Sequence, residues 1–327
     1  ESSVRKSLER ANTPGLVVSI VHDGEEAYAQ AFGTRNVETN VPVATTDQFH
    51  WASVTKPFVA TAAMILVEQG KLDLDAPVTQ YLPYFKLNDP DYAKITSRLL
   101  LTHTAGMPDV IDYEWHTPQF DDEALERWVR SLGERKLLFR PASNEQYSNI
   151  GFEVMGDVIA KVSGMAFEEF VAQHIFRPLQ MNRATLLFEE TKPENRVSPH
   201  TLEGRKPLVR KHWPYNRRHA PSSTLIASVH DLSRWPIANL NSGTLDDARI
   251  LDAEAYSQLW QSTVEIAPNR GLSWELGRFK RYTTVQHQGS DKGFRKALVL
   301  VPELNLGVAI AANTDRAPSS TPAILGH

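Results

Sequence analysis

The sequence predicts an α+β fold: one antiparallel sheet built from both chain ends, flanked by helices, with an inserted all-helical subdomain. Three observations predict it. Strand-like apolar runs open the chain, similar runs close it from residue 272, and the stretch between reads as capped helices and proline-marked loops. The expected division is 1–71 with 223–327 for the sheet and 72–222 for the helical insert, with the active site at their interface.

The elements follow in order. Residues 2–11 suggest a short amphipathic helix. In "GLVVSIVHDGEEAYAQAFG", two runs rich in valine, alanine and aromatics flank Asp23-Gly24, a strong hairpin signal. A helix then starts near Ser53 and runs to about Gln69, where Gly70 is a natural left-handed stop. Pro57 sets that start: in the first turn its missing N–H has no helical partner, whereas deeper in it would break the ladder. In the middle, Asp75 before Ala-Pro-Val and Thr96 before Ser-Arg-Leu-Leu-Leu read as caps. A longer helix near Ile150–Val162 ends at Ser163-Gly164, and Pro141, Pro178, Pro193, Pro199, Pro207 and Pro214 mark loops. Ser228-Val-His-Asp231 has the form of a capping box. "LSWELGRF", "TTVQHQG", "FRKALVLVP" and "LGVAIAANT" then read as strands.

Composition narrows the function. A chain of 327 residues, 41% hydrophobic, can bury a sizeable core and lies near the size where cores split in two. The formal net charge of −4 argues against a nucleic-acid or membrane partner. The absence of cysteine excludes disulfides, thiolate nucleophiles and cysteine metal sites. No apolar run approaches the ~18 residues of a membrane helix. His-Glu-x-x-His, the Gly-x-Ser-x-Gly elbow and phosphate-binding glycine loops are missing, so no metal or cofactor is expected. The chain begins at Glu1 without a signal-like segment and reads as a processed or trimmed form.

Three short motifs occur in order: Ser53-Val54-Thr55-Lys56, Tyr147-Ser148-Asn149 and His287-Gln288-Gly289. A serine hydroxyl is a poor nucleophile until something takes its proton. Residues i and i+3 share a helix face, so Lys56 can reach Ser53 without a distant loop. Ser3 and Lys6 have the same spacing, so the pair alone decides little; Pro57 is what singles out the second copy. Lysine has an ordinary pKa near ~10.4, and acting as a neutral base at pH 7 requires roughly 4 kcal/mol of desolvation and repulsion. The alternative keeps Lys56 charged and makes a Tyr147 phenolate the base; the sequence leaves both open.

With these motifs the chain resembles the serine β-lactamase and penicillin-binding superfamily. The nearest branch is the class C-like one, with family VIII carboxylesterases, D-aminopeptidases and D-Ala-D-Ala carboxypeptidases. "WASVTKPF", "LLLTHTAGMP", "PASNEQYSNIGFEVMGDVIAKVSG", "IFRPLQM" and "HQGSDKGFRKALVLVPELNLGVAIAAN" carry the resemblance across most of the chain. It implies a β-lactamase/transpeptidase-like fold and a small-molecule or peptide substrate, and it slightly favours a periplasmic or secreted location. It makes Ser53 the acylated nucleophile, Lys56 its proton partner and Tyr147 the base or acid. Asn149 becomes the amide holding Lys56 and substrate, and His287 takes the position of the lysine in the family's Lys-Thr-Gly strand. The oxyanion donors it implies are the backbone N–H groups of Ser53 and Ser290, and Gly289 admits a substrate backbone to the strand. His103 in "LTHTAGMP" reads as structural, tying a turn near the site.

The departures from the family shape the expected activity. Histidine at 287 is mostly neutral at pH 7, which disfavours turnover of β-lactams that carry a carboxylate. Ser222-Ser223 stands where a glycine is usual and is expected to narrow the pocket edge. The run "RKPLVRKHWPYNRRH" over 205–219 reads either as a solvated loop or as a rim that attracts acidic substrates through Arg217 and Arg218. "STPAILGH" begins like a helix capped by Thr321 and then stops. The expected function is acyl transfer through Ser53 from an ester or D-amino-acid peptide first and a β-lactam second, or a penicillin-binding sensor or scaffold that acylates without turnover. The oligomeric state is left open.

Overall fold

The computed structural model describes residues 8 and 11–316. The helix expected over 2–11 falls mostly outside them, as do Ser3, Lys6 and the segment from Thr321. Strand β1 (Gly15–His22) and strand β2 (Glu25–Asn36) form the opening hairpin, and Asp23 and Gly24 at its turn take φ angles of 51° and 83°. Both values are left-handed, as a two-residue turn matching the strand twist requires. Strand β3 (Val41–Pro42) extends the edge, and β4 (Phe49–His50) leads into the Ser53 turn. A small hairpin, β5 (His200–Glu203) and β6 (Lys206–Val209), lies within the otherwise helical middle. Strand β7 (Ile226–Ala227) pairs with β4, and β8 (Thr244–Leu245) pairs with β9 (Ala248–Arg249). The chain closes through β10 (Glu275–Phe279), β11 (Tyr282–Asp291), β12 (Phe294–Val301) and β13 (Leu306–Ala312).

The main sheet runs β10-β11-β12-β13-β1-β2-β3, so the last strand lies beside the first. Their antiparallel register places Leu16 opposite Ala312 and His22 opposite Leu306. Asn313 ties this seam: its Oδ1 accepts the Gly15 N–H at 2.6 Å and its Nδ2 donates to Thr34 O at 3.0 Å. The sheet built from both chain ends is therefore held by hydrogen bonds between residues some 300 positions apart.

The helices are α1 (Lys56–Glu68), α2 (Val78–Tyr81), α3 (Ser97–Leu101), α4 (Ala124–Arg130), α5 (Asn149–Ser163), α6 (Phe167–Val171), α7 (Ala220–Ser223), α8 (Val229–Leu240) and α9 (Ala253–Gln258). Several caps form as the sequence predicts. Thr96 accepts the Leu99 N–H at 3.3 Å, Gly164 ends α5 at φ 72°, and Ser228 and Asp231 complete the capping box. Asp75 does not cap. Pro77 is extended, so α2 starts only at Val78, too late for Asp75 to reach its first N–H groups. The carboxylate instead takes Nε and Nη2 of Arg98, each at 2.7 Å, a bidentate pair stronger than a neutral cap bond.

Helix α1 is buried on every side from Lys56 to Leu66, which makes it the central helix of the molecule. It packs against α5, and Phe58 stacks on Trp235 of α8 with ring centroids 4.0 Å apart. Helix α8 in turn covers β1 and β13, and β11 touches the turn that precedes α1. The core thus fixes the N-terminal end of α1 against the sheet. Phe58→Ala is expected to lower stability by about 3–5 kcal/mol through transfer and cavity terms. Ser228→Ala is expected to lower it by only about 1 kcal/mol through the lost cap. Urea unfolding of both variants checks the ranking.

Candidate active site

The segment before α1 is pinned from two sides. Trp51 donates its backbone N–H to Leu225 O at 2.7 Å and its indole N–H to Ala227 O at 3.0 Å. The chain then turns through Ala52 at φ 45° and ψ −130°, a conformation L residues rarely adopt. Such strain costs about 1–3 kcal/mol and persists only where the surroundings enforce it. Thr55 helps to do so, donating its hydroxyl to Ala52 O at 2.6 Å and accepting the Leu225 N–H at 3.0 Å. Ser53, first residue of a tight 3-10 turn, remains partly exposed while Val54 and Thr55 are buried.

Two groups meet the Ser53 hydroxyl. Lys56 Nζ lies 3.0 Å from Oγ, and the Tyr147 hydroxyl lies 2.8 Å from it. Lys56 Nζ also donates to Asn149 Oδ1 and to Ser222 O, each at 2.7 Å. Burial pulls the Lys56 pKa down to about 7, against the opposing pull of Asp109, Glu153 and Asp291. Nζ lies 4.9 Å from the Tyr147 ring centre and 5.5 Å from that of Phe152, the faces that replace its hydration. Burial pushes the Tyr147 hydroxyl the other way, well above its ordinary range, so it stays protonated. The neutral amine fits its surroundings: two N–H groups serve Asn149 and Ser222, and the lone pair is left for the Ser53 proton.

Asn149 opens α5 and is committed on both sides. Its Oδ1 accepts from Lys56, while its backbone N–H and Nδ2 donate to Asp109 Oδ1 at 2.8 and 3.0 Å. Tyr147 is gripped by His103, whose ring stacks on the phenol with centroids 4.3 Å apart. The His103 carbonyl accepts the Gln146 N–H at 2.9 Å, and its Nδ1 accepts the Ser148 N–H at 3.1 Å. One histidine, at a left-handed φ of 61°, therefore holds Gln146 and the first two residues of the second motif, Tyr147 and Ser148. The turn-tying role read from the sequence acts directly on Tyr147.

The third motif lies on β11. His287 is buried, its Nδ1 is bonded to Gln288 O at 2.7 Å, and burial lowers its pKa to about 3. It carries no positive charge at neutral pH. Gly289 serves the protein's own backbone: a Cβ there would lie 2.5 Å from Trp51 O. Only glycine lets β11 approach the Ser53 turn this closely. Ser290 follows, exposed, with its hydroxyl bonded to Arg295.

Two expectations change. Ser222 does not narrow a pocket edge; it is buried in α7, its hydroxyl donates to Glu153 at 2.9 Å, and its carbonyl receives Lys56. Arg217 and Arg218 form no solvated rim. Both are buried, Arg217 on Glu168 at 3.0 Å and Asp122 at 2.5 Å, Arg218 on Glu114 at 3.1 Å, because α6 and the loop before α4 bring acids to them. Asp109 and the Ser222 carbonyl were not legible in the sequence: a backbone oxygen has no side-chain signature, and an aspartate after Met-Pro has none of its own. Among the described residues no group of three or more His, Asp or Glu is arranged to hold a metal ion, and no helix is long and apolar enough to cross a membrane.

Comparison with known proteins gives a family and a fold. The family model described as Beta-lactamase matches residues 1–324. The chain is 26% identical over 315 residues to Protein flp of Staphylococcus aureus, covering 96% of this chain and 62% of that protein. It is 26% identical over 336 residues to the Unguisins hydrolase ungD' of Aspergillus campestris, covering 95% of this chain and 60% of the relative. It thus spans only about three-fifths of the length of these relatives. Its fold matches the octameric penicillin-binding protein homologue from Pyrococcus abyssi with a TM-score of 0.84 and 27% identity, covering 97% of this chain and 73% of that one. It matches SurE with a TM-score of 0.82 and 25% identity, covering 97% of this chain and 72% of SurE.

Arg217→Gln is expected to destabilise the fold by about 3–5 kcal/mol, because it leaves Glu168 buried without its cation. It is expected to leave the ratio of KM values for acidic and neutral esters unchanged. Thermal unfolding and steady-state kinetics on the one variant check both.

Proposed function

The chain belongs to the Beta-lactamase family, and from that premise we propose that it is a serine acyl hydrolase working through an acyl-Ser53 intermediate. One observation carries the reading: the Ser53 hydroxyl stands 3.0 Å from a buried lysine and 2.8 Å from a protonated tyrosine. A nucleophile, a base of suitable pKa and an acid thus converge on one oxygen.

The substrate carbonyl approaches Ser53, and neutral Lys56 takes the hydroxyl proton as Oγ attacks. The oxyanion is stabilised by the backbone N–H groups of Ser53 and Ser290. Tyr147 gives a proton to the leaving atom and recovers one from the Lys56 ammonium. Water then attacks the acyl-Ser53 carbonyl, with the same two groups acting in reverse. The lowered pKa of Lys56 and the raised pKa of Tyr147 favour lysine over phenolate as the base. Neutral His287 supplies no cation for a substrate carboxylate on β11. This supports a short-chain ester or a D-amino-acid peptide ahead of a β-lactam.

The test is a panel of a p-nitrophenyl ester, a D-Ala-D-Ala peptide and a chromogenic cephalosporin, followed by turnover and intact mass. Ser53→Ala is expected to abolish turnover and acylation; full activity in that variant removes the proposal. Acylation of Ser53 in one stoichiometric burst without turnover supports a penicillin-binding sensor instead. Lys56→Ala is expected to lower kcat/KM by at least ~100-fold.

The pH profile follows from the direction of each shift. Lys56 is inactive as a base while charged, so kcat/KM is expected to rise with pH through about 7 and then level off. Tyr147 must stay protonated, and its raised pKa moves any alkaline decline above the ordinary tyrosine range. A profile falling between pH 8 and about 10 contradicts this assignment.

A further inference from the structure

His50 and Asp291 lie outside the Ser53–Lys56–Tyr147 network, yet they join the two backbone segments that border it. His50 is fully buried at the end of β4, three residues before Ser53, and Asp291 ends β11, one residue after Ser290. His50 Nε2 donates to Asp291 Oδ2 at 2.7 Å, across 241 positions of sequence. The imidazole is otherwise packed on rings, with Phe294 at 5.6 Å and Trp213 at 6.3 Å between centroids. In such surroundings the bond is little screened, and removing Asp291 leaves the fully buried His50 ring N–H without its partner.

Two neighbouring features need a restraint of this kind. Ala52, between His50 and Ser53, holds a strained φ of 45°. Trp51 O occupies the space that a Cβ on Gly289 would need. A strained peptide relaxes unless its neighbours hold it, and here relaxation would move the Ser53 N–H relative to β11. Lys296 stands opposite Gly289 on β12, buried, with no hydrogen-bond partner for Nζ among the described residues. Burial lowers the Lys296 pKa to about 7, while the nearby Asp291 carboxylate favours its charged form.

We propose that His50 and Asp291 are positioning residues whose hydrogen bond fixes the separation of the Ser53 and Ser290 backbone N–H groups. The bond thereby governs transition-state stabilisation rather than substrate binding. The inference rests on the acyl-hydrolase reading above, in which those two groups form the oxyanion hole.

The experiment compares His50→Gln, whose amide nitrogen takes the place of Nε2, with His50→Asn, which is too short to reach Asp291, and with Asp291→Ala. Ester kinetics are read beside the affinity for an arylboronic acid, whose tetrahedral adduct places an oxygen in the oxyanion hole. His50→Asn and Asp291→Ala are expected to lose about 100-fold in kcat with little change in KM, and to lose boronate affinity by a similar factor. His50→Gln is expected to retain most of both. Circular dichroism checks folding, and if Asp291→Ala does not fold, the Gln and Asn variants carry the same comparison. Equal losses in those two variants, a rise in KM with kcat unchanged, or unaltered boronate affinity overturns the proposal. Ser53→Ala in parallel separates the two claims: activity surviving there removes the acyl-hydrolase reading itself. Activity lost there but intact in His50→Asn and Asp291→Ala removes only the positioning role.

Discussion

Lys56 is completely buried and exchanges hydration for three fixed oxygens, those of Ser53, Asn149 and Ser222. The lowered pKa disfavours the charged form by several kcal/mol relative to water. That imbalance makes a lysine usable as a base, and other parts of the structure exist to maintain it. Asp109 orients the Asn149 amide so that its oxygen faces Nζ. Glu153, buried in α5, accepts from the Ser222 hydroxyl, the Trp128 indole at 2.5 Å and His219 Nδ1 at 2.7 Å. It thereby fixes α7, whose Ser222 carbonyl completes the Lys56 environment. Removing any of these supports would admit water or leave an unsatisfied polar group beside the amine.

The second constraint is steric. The Ser53 turn and β11 approach so closely that glycine is required at 289, and the turn itself holds Ala52 in a strained conformation. Strain of this kind, beside a nucleophile, is held by tethers on several sides: Leu225 and Ala227 behind Trp51, Thr55 across the turn, and His50 to Asp291 in front. In the proposed mechanism Lys56 handles the proton, and the tethers hold the geometry of the Ser53 turn. Both meet at the N-terminal end of α1, which packs against α5 and stacks Phe58 on Trp235 of α8.

Charge in the 205–219 run is handled differently. A cluster of lysines and arginines beside aromatics suggests a surface for anions when read as text. In the folded chain Arg217 and Arg218 turn inward to Glu168, Asp122 and Glu114, and Arg218 also lies over the Trp128 ring at 4.7 Å. Their acids come from positions 49 to 104 residues away, so no local pattern announces them.

Features decided within a few residues were legible in the sequence. The Asp23-Gly24 turn, the Thr96 and Ser228 caps, the Gly70 and Gly164 stops and the Ser53–Lys56 reach each depend on backbone geometry over one to four positions, which side-chain type fixes directly. Motif order then placed Tyr147, Asn149 and His287 near the same centre by resemblance. Asp75 was misread because a cap and an ion pair use the same carboxylate, and only Arg98, 23 residues on, decides between them. The tertiary structure alone decided the burial that lowers the Lys56 pKa and raises that of Tyr147, the contact of the Ser222 carbonyl with Lys56, the inward turn of Arg217 and the bond between His50 and Asp291. Desolvation and ion pairing depend on which distant segments exclude water from a group. That is a property of the packed core and not of the neighbouring residues in the chain.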